Sequence, residues 1–226
     1  MINKLLKSNA KIIIICGHYG SGKTNISVNV AMELQKSSPA STKITFIDLD
    51  IVNPFFRGAD SANMLEDAGI RCIMPTFANT NSDMPALPPE INSIFSETQK
   101  ENENMRTIID VGGDDAGAIA LGMFADKIKK YSYEMVYVVN KYRPLIENAG
   151  NAVNLARAIE EKSRLKLTAL INNSNIGEFT TEQSILDTFD YAETISDKLG
   201  VPLLANTAFT EIAGTELINK YTKQIF

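Results

Sequence analysis

The chain has 226 residues, 44% of them hydrophobic, two cysteines and a formal net charge of −5. That length and apolar content suit one sizeable core, so a single domain over residues 1–226 is expected. The acidic balance argues against a surface that coats nucleic acid. Cys16 and Cys72 lie far apart in apolar runs without metal-ligand spacing, as buried free thiols of a reducing cytoplasm would.

In chain order, "KIIIIC" (11–16) is a buried strand. It is too short to span a membrane and leads straight into a glycine-rich loop, so no signal peptide is expected. The loop, "GHYGSGKT" at 17–24, matches G-x-x-x-x-G-K-[ST] and is followed by a helix at about 24–36. Gly17, Gly20 and Gly22 permit tight turning, and the N–H groups of His18, Tyr19, Ser21 and their neighbours through Asn25 are candidates to cradle phosphate. Lys23 would bridge the β- and γ-phosphates, and the Thr24 hydroxyl would ligate Mg²⁺.

"KITFIDL" (43–49) is the next strand and continues into "DIVNPFFR". Asp48 and Asp50 point the same way at its end. Asp50 is the choice to orient an attacking water or touch the metal shell, and Asp48 to anchor the loop or the metal's waters. A helix at about 58–68 and the strand "RCIMP" (71–75) follow. The polar, proline-rich stretch 79–90 suggests a lid or partner loop. After a helix at about 90–101, the strand "RTIIDV" (106–111) ends in D-x-x-G: Asp110 would hold magnesium through water, and the Gly113 N–H would sense the γ-phosphate.

A helix at 116–130 precedes the strand "YEMVYVV" (133–139), and a helix at 145–161 precedes "LTALIN" (167–172). A helix at 182–199 leads to "VPLLAN" (201–206), and a last helix is expected at 210–223. Near-continuous apolar strands alternating with helices predict an α/β fold: a doubly wound, mostly parallel sheet with helices on both faces. Ligands of such sheets bind beyond the carboxyl ends of the strands, where the motifs lie.

Taken in order, "GHYGSGKTN", "DLDIVNPFFR" and "DVGGDDAG" resemble the ParA/MinD-like P-loop ATPases, over roughly residues 10 to 225. These include nitrogenase iron protein and the cobyrinate-amidase ATP domains. The resemblance implies ATP with Mg²⁺ and, often, a nucleotide-sandwich dimer; monomer and homodimer both stay open. It also implies a base contact from an Asn at the end of the sixth strand, here Asn172 or Asn173, with Asn206 and Thr207 on the other side. "NKYR" at 140–143 half matches the guanine signature N-K-x-D, but it ends in Arg and follows a strand one place too early. Adenine is therefore favoured.

Where the family carries a lysine that crosses to a partner's nucleotide, this chain has His18. Histidine is shorter and mostly neutral at pH 7, so a lysine-bridged dimer is not expected. Arg57 and Arg143 could approach phosphate or an acidic substrate, or pair at the surface. Three functions stay open: a slow Mg-ATP switch ATPase coupled to a protein partner, an ATP-dependent kinase or ligase for a small acidic substrate, and a nucleotide-binding module without turnover.

Overall fold

The computed structural model describes residues 5–6, 8–50, 59–74, 89–100 and 104–212. Among these residues seven strands form one sheet: β1 (Ile12–Gly17), β2 (Lys43–Leu49), β3 (Arg71–Ile73), β4 (Met105–Val111), β5 (Tyr133–Val139), β6 (Ala169–Asn172) and β7 (Leu203–Asn206). Their order is β3-β2-β4-β1-β5-β6-β7, and every pairing is parallel.

The helices are α1 (Lys23–Ser37), α2 (Ala59–Asp67), α3 (Glu90–Lys100), α4 (Asp115–Gly122), α5 (Ala125–Ile128), α6 (Ala149–Ser163), α7 (Glu182–Leu186) and α8 (Phe189–Leu199). They cover both faces. In β1, Ile12, Ile14 and Cys16 pack with α6 and α8, whereas Ile13 and Ile15 pack with Ile26, Val30 and Leu34 of α1. Both sides of each strand are therefore apolar, which accounts for unbroken runs such as "IIII".

Three helices differ from the sequence expectation. The one expected at 116–130 is two, because Phe124 (φ −102°, ψ 0°) leaves the helical region. Gly122 there lets α4 approach α6 so closely that a Cβ would lie 2.5 Å from the Lys162 carbonyl oxygen. The helix expected at 182–199 breaks at Thr188, whose buried hydroxyl donates to the Ile185 carbonyl and accepts from Asn172. The helix expected from 145 starts at Ala149, because Leu145 has φ +70° and the Asn148 side chain caps the Asn151 N–H. Cys16 is buried as expected, but Cys72 is partly exposed. Arg57, most of the 79–90 loop and the last helix beyond residue 212 lie outside the described residues.

The chain leaves β1 toward β2, β3 and β4 on one side and fills β5, β6 and β7 on the other. The carboxyl end of β1 is thus the crevice where the winding reverses, and the glycine-rich loop sits there.

Candidate functional site: a phosphate loop gripped from both flanks

The backbone of residues 17–24 takes a shape that only its glycines allow. Gly17 has φ +151°, and a Cβ on it would lie 2.2 Å from the Val138 carbonyl oxygen. Gly22 has φ +84°, and a Cβ there would lie 2.2 Å from Asn173 Nδ2. Gly22 caps α1 in the left-handed conformation; no side chain caps the helix and its first turn holds no acidic residue. Its first N–H groups lack intrahelical acceptors, so the loop and helix end together present donors and a positive dipole end to an anion.

Lys23 and Asp110 lie beneath that cradle. Thr24 Oγ1 donates to Asp110 Oδ2 at 2.6 Å, and Ser27 Oγ donates to Oδ1 at 2.9 Å. Burial pushes the Asp110 carboxyl up from 3.8 to about 6, against the lowering by the Thr24 hydroxyl, Lys23 and the Ser27 hydroxyl. Lys23 is 6% exposed and its Nζ donates to the His18 carbonyl at 3.2 Å. Burial lowers its pKa, partly offset by Asp110 and Asp50.

Asp48, fully buried, is the register partner of Asp110 on the neighbouring strand and accepts from the Asp50 N–H at 2.8 Å. Asp50 is half-buried, and a Cβ on Gly112 would lie 3.3 Å from its Oδ1. Thr24, Asp48, Asp50 and Asp110 thus gather at the carboxyl ends of β2 and β4. Among the described residues no three His, Cys, Asp or Glu side chains form a closed metal cage. A hydroxyl plus one or two carboxylates suits Mg²⁺, which keeps several waters and takes its other ligands from phosphate. Gly113 closes this flank: a Cβ there would lie 2.5 Å from the Tyr19 nitrogen and 2.9 Å from Lys23 Nζ.

The opposite flank is held by β5, β6 and β7. Arg143 Nε donates to the Gly20 carbonyl at 2.7 Å, and Asn173 Nδ2 donates to the Ser21 carbonyl at 2.8 Å. The Thr207 hydroxyl donates to Asn173 Oδ1. Two successive loop carbonyls are therefore tied to the second half of the sheet. Asn172 is 1% exposed, and its amide donates to Thr188 Oγ1 at 2.9 Å and to Asn206 Oδ1 at 2.7 Å. Its Oδ1 accepts from the Ser174 hydroxyl at 2.6 Å.

The structure thus turns Asn172 and Asn206 inward and places Asn173 against the loop's backbone. Ser21 is fully buried, and its Oγ has no hydrogen-bond partner among the described residues. His18 Nδ1 lies 2.8 Å from the Tyr19 carbonyl. Tyr19 is 61% exposed, and Asn25 is exposed at the outer face of α1.

Sequence reasoning missed Ser27 and Asn140. Ser27 stands four residues after Lys23, on the buried face of α1, where a small polar residue among Ile26, Val30 and Ala31 is the signal. Asn140 belongs to the false N-K-x-D match, which hides its role. It is fully buried and accepts from the N–H groups of Tyr142 and Asn175, knitting the β5 and β6 loops together.

No protein-family model matches the chain, and no curated protein matches it either. Solved structures do. Chloroplast FtsY from Physcomitrella patens superposes with a TM-score of 0.56 at 14% identity, over 88% of this chain and 59% of that one. The 54 kDa signal recognition particle protein from Aeropyrum pernix K1 gives 0.54 at 17%, over 88% and 42%. The signal recognition particle receptor FtsY from Elizabethkingia anophelis gives 0.51 at 18%, over 91% and 63%. The chain spans less than two thirds of each of these. The all-parallel sheet with a glycine-rich loop at its reversal point has the fold of the P-loop nucleoside triphosphatases.

Proposed function

We propose that this protein binds a nucleoside triphosphate with magnesium, hydrolyses it slowly and acts as a nucleotide-dependent switch. One observation carries the reading. Thr24, Ser27 and Lys23 converge on Asp110 beneath uncapped helix N–H groups, which joins the phosphate cradle and the magnesium ligands in one place. When bound, magnesium would neutralise phosphate charge. Thr24 would ligate it, and Asp110, with Asp48, would hold its waters. Lys23 would leave the His18 carbonyl for phosphate oxygens. Asp50 would accept a hydrogen bond from the attacking water. Phosphoryl transfer asks mainly for such positioning and charge stabilisation.

Adenine is the favoured base, in line with the likeness of the three motifs to the ParA/MinD-like ATPases. After β6 the chain runs Asn173, Ser174, Asn175, Ile176, with no carboxylate to accept from a guanine N1–H and amino group. The second reading is guanine, since the Aeropyrum structure is a complex with GDP.

Thermal stabilisation by Mg-ATP, Mg-ADP and Mg-GTP, followed by phosphate release, tests both. ATP should stabilise more than GTP, and Lys23→Ala should remove the effect while leaving the apo fold intact. Full stabilisation of the Lys23→Ala protein would end the phosphate-loop assignment. A preference for GTP would establish the second reading. Turnover that appears only with an added small carboxylic acid would make the protein a kinase or ligase instead of a switch.

A further inference from the structure

Arg143 lies 123 residues from Gly20 in sequence, yet its Nε is hydrogen-bonded to the loop there. That bond uses one of the five guanidinium N–H donors. Both Nη groups have no hydrogen-bond or ion-pair partner among the described residues. A charged, planar fork thus stands beside a loop whose own donors would face a bound anion, and within 17–25 Lys23 is the single cationic side chain.

The segment carrying Arg143 is held firmly. Buried Asn140 accepts from the Tyr142 N–H at 3.0 Å, the Tyr142 hydroxyl donates to the Ser184 carbonyl at 2.5 Å, and Lys141 Nζ donates to the Asp187 carbonyl at 2.9 Å. Two residues on, Leu145 is 72% exposed and has φ +70°, a left-handed backbone that a bulky side chain adopts only under strain. The backbone here departs from relaxed geometry beside an arginine that touches the loop.

Position along the loop says what the fork would meet. Gly113, which on the nucleotide reading would meet the γ-phosphate, packs on Tyr19 and Lys23, while Asn173, toward β6 and β7, holds Ser21. Gly20 lies between Tyr19 and Ser21. Arg143 therefore flanks the middle of the cradle, over the part that di- and triphosphates share.

Building on the nucleotide reading above, we infer that Arg143 is a nucleotide-contacting residue whose Nη fork grips the α,β-diphosphate from the β5 side. Its Nε bond to Gly20 sets the fork in place before the nucleotide arrives. Guanidinium suits this task because it pairs with phosphate oxygens two at a time and stays charged at any working pH.

Arg143→Gln separates the two roles of the side chain. Its Nε2 occupies the same position along the side chain as arginine Nε, so it can still donate to Gly20 but carries neither fork nor charge. Arg143→Ala removes everything. Both variants are melted without ligand first, and then titrated calorimetrically, beside wild type, with Mg-ATP, Mg-ADP and Mg-GTP.

The inference expects unchanged melting of the Gln variant and a loss of about tenfold or more in affinity for both variants, the scale of a charge-assisted hydrogen bond. The factor should be alike for ATP and ADP and independent of the base. A loss under fivefold in the Gln variant overturns the inference and leaves Arg143 a loop tether. A loss confined to ATP, or to one base, overturns the diphosphate assignment. A wild-type protein that binds none of the three nucleotides defeats the nucleotide reading itself, visibly and before any variant is measured.

Discussion

Asp110 combines burial with two hydroxyl donors and a neighbouring ammonium, and burial prevails: its carboxyl sits at about 6 instead of 3.8. Between those values the folded protein holds more protons than the unfolded chain. Its contribution to stability therefore falls as pH rises from about 4 to about 6 and is flat above. Magnesium needs the ionised form, so metal-dependent binding should strengthen over the same window. The apo melting temperature of wild type, set against Asp110→Asn from pH 4 to 7, checks the sign: the difference should favour wild type most at the acid end. Asp50→Asn makes a second expectation. It should keep nucleotide affinity and lose most phosphate release, because an amide is a poorer acceptor for an attacking water. If Asp48→Asn does this instead, the two carboxylates have exchanged roles.

At the scale of elements, the polar knot between β6, β7 and the start of α8 replaces apolar packing with hydrogen bonds. Asn172 ties Thr188, Asn206 and Ser174, all buried. Asn172→Ala strands several of these groups and should lower stability by about 2 kcal/mol or more, read by urea unfolding. The strands were legible in the sequence because burial on both faces writes uninterrupted β-branched runs. The glycine-rich loop was legible because its glycines and Lys23 are fixed by local geometry. The inward turn of Asn172 was not legible: its partners at 188 and 206 meet it only once the sheet has formed. The helix breaks at Phe124 and Thr188 escaped for the same reason, since no proline or glycine run marks them and tertiary contacts set them.

At the scale of the whole molecule, the sheet order puts the reversal at β1, with the Thr24–Asp110 pair on the β4 flank and the arginine and amide tethers on the β5 and β6 flank. Each half of the chain thus supplies one side of the loop. His18 turns its ring nitrogen to the adjacent Tyr19 carbonyl, and Tyr19 projects from the loop. Neither offers a long cationic arm to a second molecule. Light scattering of Asp50→Asn protein should therefore report the same mass with and without Mg-ATP. An ATP-dependent dimer that His18→Ala dissolves would show instead that the histidine bridges two copies.

The backbone at Leu145 carries a cost that a single substitution could remove. An exposed leucine held at φ +70° gives up about 1–2 kcal/mol that an asparagine there would largely keep, since asparagine tolerates the left-handed region and little apolar burial is lost. Leu145→Asn should accordingly melt about 2–4 °C higher than wild type. Titration of both proteins with Mg-ATP, beside the melts, would show whether the strained turn serves the arginine two residues before it.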